Sequence, residues 1–166
     1  SNEIIFWDNL YANDYCPKKI FLGPYIGRSN FKNTMINPTG LINTDIFILD
    51  LIRHSVNQNN NEIGWEKNLK IYKIPKQFEK ISMYFFPINH NPKTNAKDLN
   101  YNKEIEALDF LLWKWKNSLS REWYQYMLIL KQDLELLHGK LKPDRIKKIF
   151  PIPLKDTVLK IKWGDQ

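Results

Sequence analysis

The feature that most constrains the fold is a short, wholly apolar run at residues 4–7 that stops abruptly at a polar segment. The run reads Ile-Ile-Phe-Trp and is followed at once by Asp8 and Asn9. A strand with one solvated face alternates apolar and polar residues, whereas a continuously apolar strand is typical of a parallel sheet buried on both faces. The run therefore predicts a strand of a parallel sheet that helices cover.

Two further apolar runs and a helix continue this pattern along the chain. Residues 20–22 end at a Gly-Pro turn signal, and residues 34–36 end at a loop that contains proline and glycine. Thr44 then offers a cap, and Asp45 a favourable first-turn charge, for a helix that is apolar on much of its circumference. Strands followed by a helix in this order are typical of an α/β fold.

A polar break at residues 57–62 divides the chain into two expected domains. Its sequence, Asn-Gln-Asn-Asn-Asn-Glu, offers no apolar side chain to anchor it on a core. Residues 1–56 hold five basic and five acidic side chains, so the whole net charge of +7 lies in residues 57–166. We therefore expect an α/β domain over residues 1–56 and a basic, mostly helical domain over residues 57–166.

Two strong helices are predicted in the second part. Apolar residues recur there at helical spacing, with Asn102 placed to cap the first helix and Ser118 or Ser120 the second. The short connection between them favours an antiparallel pair. A further helix is expected to begin at Pro75 and to end before Pro87.

Several classes of site are excluded by the residues that the chain lacks. Cys16 is its only cysteine, which rules out an internal disulfide and any site that needs several cysteines. The three histidines, His54, His90 and His138, show no metal-ligand spacing, so we expect neither a metal nor a cofactor. No apolar run approaches the ~20 residues of a membrane-spanning helix.

Polar side chains follow two of the predicted strands at the point where each strand ends. Asp8, Asn9 and Asp14 come after the first strand, and Asn37 comes after the last. In parallel barrels, substrates bind where the strand ends and their loops converge. An indole such as that of Trp7 packs on the apolar face of a sugar, and amides and carboxylates bind its hydroxyls. Because Asn and Asp also form turns for local reasons, the pattern alone leaves both interpretations open.

Three linked blocks of sequence resemble glycoside hydrolase family 84. Residues 7–15 read Trp-Asp-Asn-Leu-Tyr-Ala-Asn-Asp-Tyr, residues 18–28 read Lys-Lys-Ile-Phe-Leu-Gly-Pro-Tyr-Ile-Gly-Arg, and residues 36–38 read Ile-Asn-Pro. The family contains the protein O-GlcNAcases and the bacterial hexosaminidases often labelled hyaluronidases. The resemblance covers residues 4–52 and keeps the order and close spacing of the family's blocks. It implies that the chain holds the terminal strands and last helix of a (β/α)₈ TIM barrel, incomplete here, followed by a helical domain.

The resemblance implies a retaining β-N-acetylglucosaminidase that hydrolyses terminal N-acetylglucosamine by substrate-assisted catalysis. In that family the sugar's own acetamido oxygen attacks the anomeric carbon, while two adjacent aspartates orient the amide and transfer the proton. Carried over by position, Trp7 and Asn9 line the pocket around the N-acetyl group, and Asp14 and Asn37 hold the outer hydroxyls. Asp8 steadies the loop behind them. The expected partner is a glycan or glycoprotein that bears N-acetylglucosamine, with no cofactor and no membrane.

The family's catalytic acid pair has no counterpart in this chain. No two acidic residues are adjacent anywhere in the sequence, so the pair is expected upstream, in a barrel that needs ~250 residues. The chain opens with Ser1 rather than Met, and we expect its true N-terminus to lie further upstream. The segment is therefore expected to supply sugar-binding residues but to hydrolyse nothing alone. The sequence assigns no compartment.

Two alternatives stay open. The full-length protein could be a carbohydrate-binding relative without the acids, or the basic region could be a helical module that binds nucleic acid or protein. Residues 140–166 hold eight basic and three acidic side chains, which with nearby aromatic residues could contact phosphates and bases. Lysines spaced among apolar residues are more often a solvated face, so nucleic acid is not the expected partner.

Overall fold

The computed structural model describes residues 4–13, 18–28, 33–58, 61–87 and 100–142. Within these ranges the elements are β1 (Phe6–Asp8), β2 (Thr34–Ile36), α1 (Ile42–Gln58), α2 (Asn61–Ile71), 3₁₀ helices at Lys76–Lys80 and Ser82–Phe85, α3 (Tyr101–Trp113) and α4 (Ser118–Leu137). They fall into two compact units. The first contains the described residues up to Pro75 together with residues 85–87, and the second contains residues 76–84 and 100–142.

Strands β1 and β2 pair in parallel, as expected for a sheet built from these two apolar runs. Phe6 lies opposite Thr34, and Asp8 lies opposite Ile36. The sheet differs from the prediction in its cover, because the side chain of Trp7 is 56% exposed and those of neighbouring apolar residues are exposed too. The strands therefore have the apolar composition of strands that are buried on both faces. Within the described residues, however, several of their apolar side chains are exposed.

The middle apolar run, residues 20–22, is not a strand. Its three side chains are buried, and the amide of Leu22 donates to the carbonyl oxygen of Phe85 at 2.7 Å, but these residues do not join the sheet of β1 and β2. A short apolar run indicates that its side chains are buried and leaves the pattern of backbone hydrogen bonds open. The expectation of a strand at this position was therefore wrong.

Helix α1 begins two residues before the predicted cap. Thr44 lies inside the first turn, and the loop before the helix is held instead by Asp45. The Asp45 carboxylate accepts hydrogen bonds from the amide and hydroxyl of Thr39, at 2.8 and 2.7 Å, and from the amide of Gly40 at 3.2 Å. A negative side chain bonded to backbone amides at this end also favours the helix dipole.

Helix α2 packs on α1 within the first unit, so the unit extends past the boundary expected between residues 56 and 57. The side-chain amide of Asn68 donates to the carbonyl oxygen of Phe47 at 2.7 Å, and its oxygen lies 3.2 Å from His54 Nδ1. The helices approach closely at Gly64, where a Cβ would lie 2.6 Å from Ser55 Oγ. The expected boundary therefore falls inside one unit, with residues 57–58 at the end of α1 and residues 61–62 at the start of α2, and the described division falls after Pro75.

In the second unit, α3 and α4 run antiparallel, which is the arrangement that a short connection favours. Lys131 Nζ contacts Asp109 Oδ1 at 2.6 Å, and the rings of Trp113 and Tyr124 meet edge to face near the connection. The contact residue that comes later in α3 therefore meets the one that comes earlier in α4, as in an antiparallel pair. Trp123 lies in the core, with Phe78 and Trp115 against it.

Both helix caps lie on asparagines that precede the predicted caps. Asn100 caps α3 by accepting from the amide of Lys103 at 3.2 Å. Asn117 caps α4 by accepting from the amide of Ser120 at 2.8 Å, and Ser120 Oγ accepts in return from the Asn117 amide at 2.9 Å. This is a capping box in which the predicted cap, Ser120, is the reciprocal partner.

The helix predicted after Pro75 is instead a pair of 3₁₀ helices. Phe78, Ile81 and Tyr84 are all buried, and their spacing of three residues matches the three residues per turn of a 3₁₀ helix. A stripe at that spacing cannot stay on one face of a long α-helix, which explains the difference. None of the helices in the described ranges has the length and apolarity needed to cross a membrane.

Candidate functional site

Three of the predicted sugar-binding residues meet at one edge of the small sheet. Trp7 Nε1 donates to Asn9 Oδ1 at 2.7 Å, and Asn37 Nδ2 donates to the same oxygen at 3.1 Å. The indole and Asn9 are exposed, and Asn37 is half-buried. The edge therefore presents an aromatic ring beside two amides that are fixed with respect to each other.

The parallel register explains why these side chains converge. Asn9 follows β1 directly and Asn37 follows β2 directly. The amide of Asn37 donates to the carbonyl oxygen of Asp8 at 2.9 Å, which continues the pairing past the strand ends. Both asparagines thus lie at the carboxyl ends of parallel strands, where open and closed α/β sheets bind their ligands.

Asp8 lies beneath this edge and is only 1% exposed. Its Oδ1 accepts from the amide of Leu10 at 2.9 Å and from Arg28 Nη2 at 3.4 Å, and its Oδ2 accepts from Arg28 Nε at 3.1 Å. The hydroxyl of Tyr25 donates to Oδ2 at 3.4 Å. A carboxylate with this many donors holds the turn after β1 and the segment around Arg28 in place, and it therefore orients Asn9 from below.

Two tyrosines complete the support of the site. The hydroxyl of Tyr11 donates to the carbonyl oxygen of Gly23 at 2.8 Å, and its ring stacks on that of Tyr25 with centroids 6.3 Å apart. Burial raises the pKa of Tyr11 well above its usual range. Burial first, and then the negative charge of Asp8, raise the pKa of Tyr25 to about 12. Both hydroxyls are therefore neutral donors at physiological pH.

Arg28 and Tyr25 are the functional residues that sequence reasoning missed. Both were quoted only as part of the resembling block at residues 18–28, without a role. One signal was available, since a carboxylate that is buried at the end of a strand requires a cationic or hydrogen-bonding partner. The sequence offered Lys18, Lys19 and Arg28 for that purpose and did not distinguish among them.

Asp14, predicted to hold the outer hydroxyls of the sugar, lies outside the described residues, and its role stays a prediction. The described part of the site consists of the residues around Trp7, Asn9 and Asn37. They form a surface that can bind a ligand through aromatic packing and amide hydrogen bonds. In the described ranges no group of three or more potential ligands is placed to hold a metal ion.

A short similarity to known proteins involves a single segment of the chain. Over 39 residues the chain is 49% identical to Protein O-GlcNAcase of Rattus norvegicus and to Protein O-GlcNAcase of Mus musculus. The stretch covers 20% of this chain and 4% of each relative, so the chain spans only a small part of the curated relatives it matches. No family model matches the chain. No solved structure matches it either.

Proposed function

We propose that this chain is part of a retaining β-N-acetylglucosaminidase of the O-GlcNAcase type, in which the ends of β1 and β2 bind the terminal sugar. The observation that carries the proposal is the convergence of Trp7, Asn9 and Asn37 at the carboxyl ends of two parallel strands. The 39-residue similarity to Protein O-GlcNAcase supports the same assignment. In this proposal β1, β2 and α1 belong to a TIM barrel whose other strands lie outside this chain.

The geometry suits the recognition of N-acetylglucosamine. The exposed indole of Trp7 offers an apolar surface to the acetamido methyl group and the C–H faces of the sugar ring. Asn9 Oδ1 accepts from both Trp7 and Asn37, which fixes the plane of its amide and leaves its Nδ2 to donate to a ligand. Because these groups are already held in place in the free protein, less entropy is lost when the sugar binds.

Catalysis in this proposal depends on groups that the chain does not contain. Substrate assistance requires a carboxyl pair that orients the acetamido group and transfers the proton, and no two acidic residues are adjacent in this sequence. Asp8 is buried against Arg28 and positions the strand end. The proposed contribution of this segment is therefore binding and orientation of the sugar, with Asp14 contributing hydrogen bonds to the outer hydroxyls.

Saturation-transfer difference NMR on the 166-residue chain tests the binding step, because it detects weak sugar complexes. We expect signals from N-acetylglucosamine, strongest at its acetamido methyl, and much weaker signals from glucose, which lacks that group. Trp7→Ala and Asn9→Ala should each remove most of the signal. Trp113→Ala is the matched control, since Trp113 is an equally exposed tryptophan of the second unit. Equal signals from both sugars, or from all variants, would overturn the proposal.

A carbohydrate-binding protein without hydrolytic activity is the second candidate. It is favoured by one observation, that the described site offers amides and an indole but no exposed carboxylate pair. The full-length protein separates the two candidates through its hydrolysis of an aryl N-acetylglucosaminide. Turnover that depends on an adjacent acid pair upstream of Ser1 supports the enzyme. Sugar binding without turnover supports the binding protein.

A further inference from the structure

Two large aromatic side chains of the second unit are exposed side by side, one on α3 and one on α4. Trp113 is 57% exposed, Tyr124 is exposed too, and their rings meet edge to face with centroids 6.2 Å apart. Trp115 and Trp123, in the same part of the chain, are buried. Exposed aromatic rings that touch each other form an apolar patch of the kind that marks a binding surface.

Unpaired cations accompany this aromatic pair. From residue 110 to residue 121 the chain contains Lys114, Lys116 and Arg121 and no acidic residue. All three side chains are exposed, and none forms an ion pair in the part of the chain that the structure describes. Lys116 and Arg121 border the same cavity as Tyr124, at the connection between α3 and α4, so two of the cations lie beside the aromatic pair.

We call Trp113, Tyr124, Lys116 and Arg121 the α3–α4 surface. Its rings offer flat faces for stacking, and its cations attract negative charge. Single-stranded nucleic acid matches both properties, because every nucleotide carries a flat base and a negatively charged phosphate. An acidic peptide matches the charge, but its carboxylate side chains offer no flat group to the rings. The combination of rings and cations therefore favours a nucleic acid over a peptide.

We propose that the α3–α4 surface binds single-stranded nucleic acid. A base stacks on Trp113, and neighbouring phosphates contact Lys116 and Arg121. Because any base can stack and the phosphates are the same at every nucleotide, we expect little sequence preference. The net charge of +7 attracts a polyanion to the chain. The inference is independent of the proposed sugar site, because that site lies in the first unit and this surface lies in the second.

Fluorescence anisotropy of the 166-residue chain at low salt tests the ligand class with labelled probes of about eight units. An oligothymidylate and an oligouridylate carry bases and phosphates, an abasic strand carries phosphates alone, and an oligoglutamate represents an acidic peptide. We expect at least one oligonucleotide to bind about tenfold more tightly than the abasic strand and the oligoglutamate, because both lack the stacked bases. The tighter oligonucleotide shows whether DNA or RNA is preferred. If the abasic strand or the oligoglutamate binds as tightly as both oligonucleotides, the proposal is wrong.

Two substitutions of Trp113 test stacking against general apolar contact. Trp113→Phe keeps a flat ring, and Trp113→Leu keeps apolar bulk without one. We expect Trp113→Leu to weaken binding of the preferred oligonucleotide about tenfold and Trp113→Phe to keep most of it. Since Trp113 is largely exposed, both variants should fold, which circular dichroism checks. Equal affinities of the two variants would show that no base stacks on this residue and would refute the proposal.

A second pair of variants tests the phosphate contacts through their salt dependence. For a single strand, each neutralised phosphate adds about 0.7 to the slope of the logarithm of the binding constant against that of the salt concentration. Arg121→Gln should therefore weaken binding and reduce this slope by about 0.7. Lys103→Gln removes an exposed charge about 15 Å further along α3 and should change neither quantity. If Arg121→Gln behaves as Lys103→Gln does, the strand does not lie on the α3–α4 surface and the inference fails.

Discussion

The two units differ in how they use their apolar residues. In the first unit, many large apolar side chains of β1, β2, α1 and their flanks are exposed: Ile4, Ile5, Trp7, Met35, Ile42, Ile46, Leu49 and Val56. In the second unit, most apolar side chains of α3 and α4 are buried: Leu108, Leu111, Leu112, Leu119, Trp123, Met127, Leu130 and Leu134. An apolar pattern therefore predicts which surface of an element needs to be buried. Whether that surface is buried depends on the elements that pack against it.

The contrast bears on the proposed function. The helices of the second unit are amphipathic: their apolar faces form a small core, and their polar faces are solvated. The first unit carries the polar edge at Asn9 and Asn37 on strands whose apolar faces stay uncovered in the described ranges. That combination is expected of strands that belong to a larger parallel sheet, and it supports the proposal that β1 and β2 are part of a barrel.

Removing one tryptophan from each unit should give the largest difference. Trp123 is 1% exposed and packs against Phe78 and Trp115. Trp123→Ala should lower the free energy of unfolding by about 3–5 kcal/mol, because it leaves a cavity in the core. Trp7→Ala should change it by less than about 1 kcal/mol, since that side chain is largely exposed. Urea denaturation, followed by circular dichroism, measures both. Equal losses would contradict the comparison.

A smaller difference in the free energy of unfolding is expected when two ion pairs of the first unit are broken in turn. Asp8→Ala leaves Arg28 Nε and the amide of Leu10 without the carboxylate that accepts from them in a buried setting, and should destabilise the chain by about 3 kcal/mol. Arg53→Ala breaks the ion pair with Asp50 from its exposed side, keeps the hydrogen bond from Tyr72 to Asp50, and should cost about 1 kcal/mol or less. The same urea experiment compares them. A loss for Asp8→Ala no larger than that for Arg53→Ala would show that Asp8 does not anchor the site.

Part of the candidate site could be predicted because it depends on local sequence. Asn9 and Asn37 each follow an apolar run, and parallel pairing of those runs was enough to bring the two asparagines to one edge. The antiparallel order of α3 and α4 likewise follows from the shortness of their connection. In these cases the periodicity and the position of turn residues carry the information.

The rest could not be predicted because it depends on which partner a residue meets. Asp8 and Arg28 are 20 positions apart, and nothing in the pattern selected Arg28 over the nearby lysines. The polar residues 57–62 looked like a linker, but Gly64 and Asn68 bring α2 against α1 within the same unit. A polar composition indicates that a segment is not buried in a core. Tertiary contacts on either side determine whether that segment connects two helices of one unit or separates two domains.

The smallest effect is expected from alkaline pH. Burial is the main cause that raises the pKa of Tyr25 and of Tyr72 to about 12 in the first unit, and it raises the pKa of Tyr84 above the usual range in the second. In the unfolded chain these groups titrate near pH 10. As the pH rises above 10, the unfolded state therefore loses these protons before the folded state does. The stabilising contribution is therefore complete below pH 10 and is lost as the pH rises toward 12.

After allowance for solvent screening of the partly exposed rings, we expect the free energy of unfolding to fall by about 1 kcal/mol between about pH 9 and about pH 11. Urea denaturation across that range measures the loss. Tyr72→Phe should make it smaller, because one of the two tyrosines of the first unit that ionise near pH 12 is then absent. A stability that stays level across the range would mean that the tyrosines of the folded chain ionise as freely as those of the unfolded chain. The buried support beneath Asn9, which depends on Tyr25 and Asp8, would then be looser than the described contacts indicate.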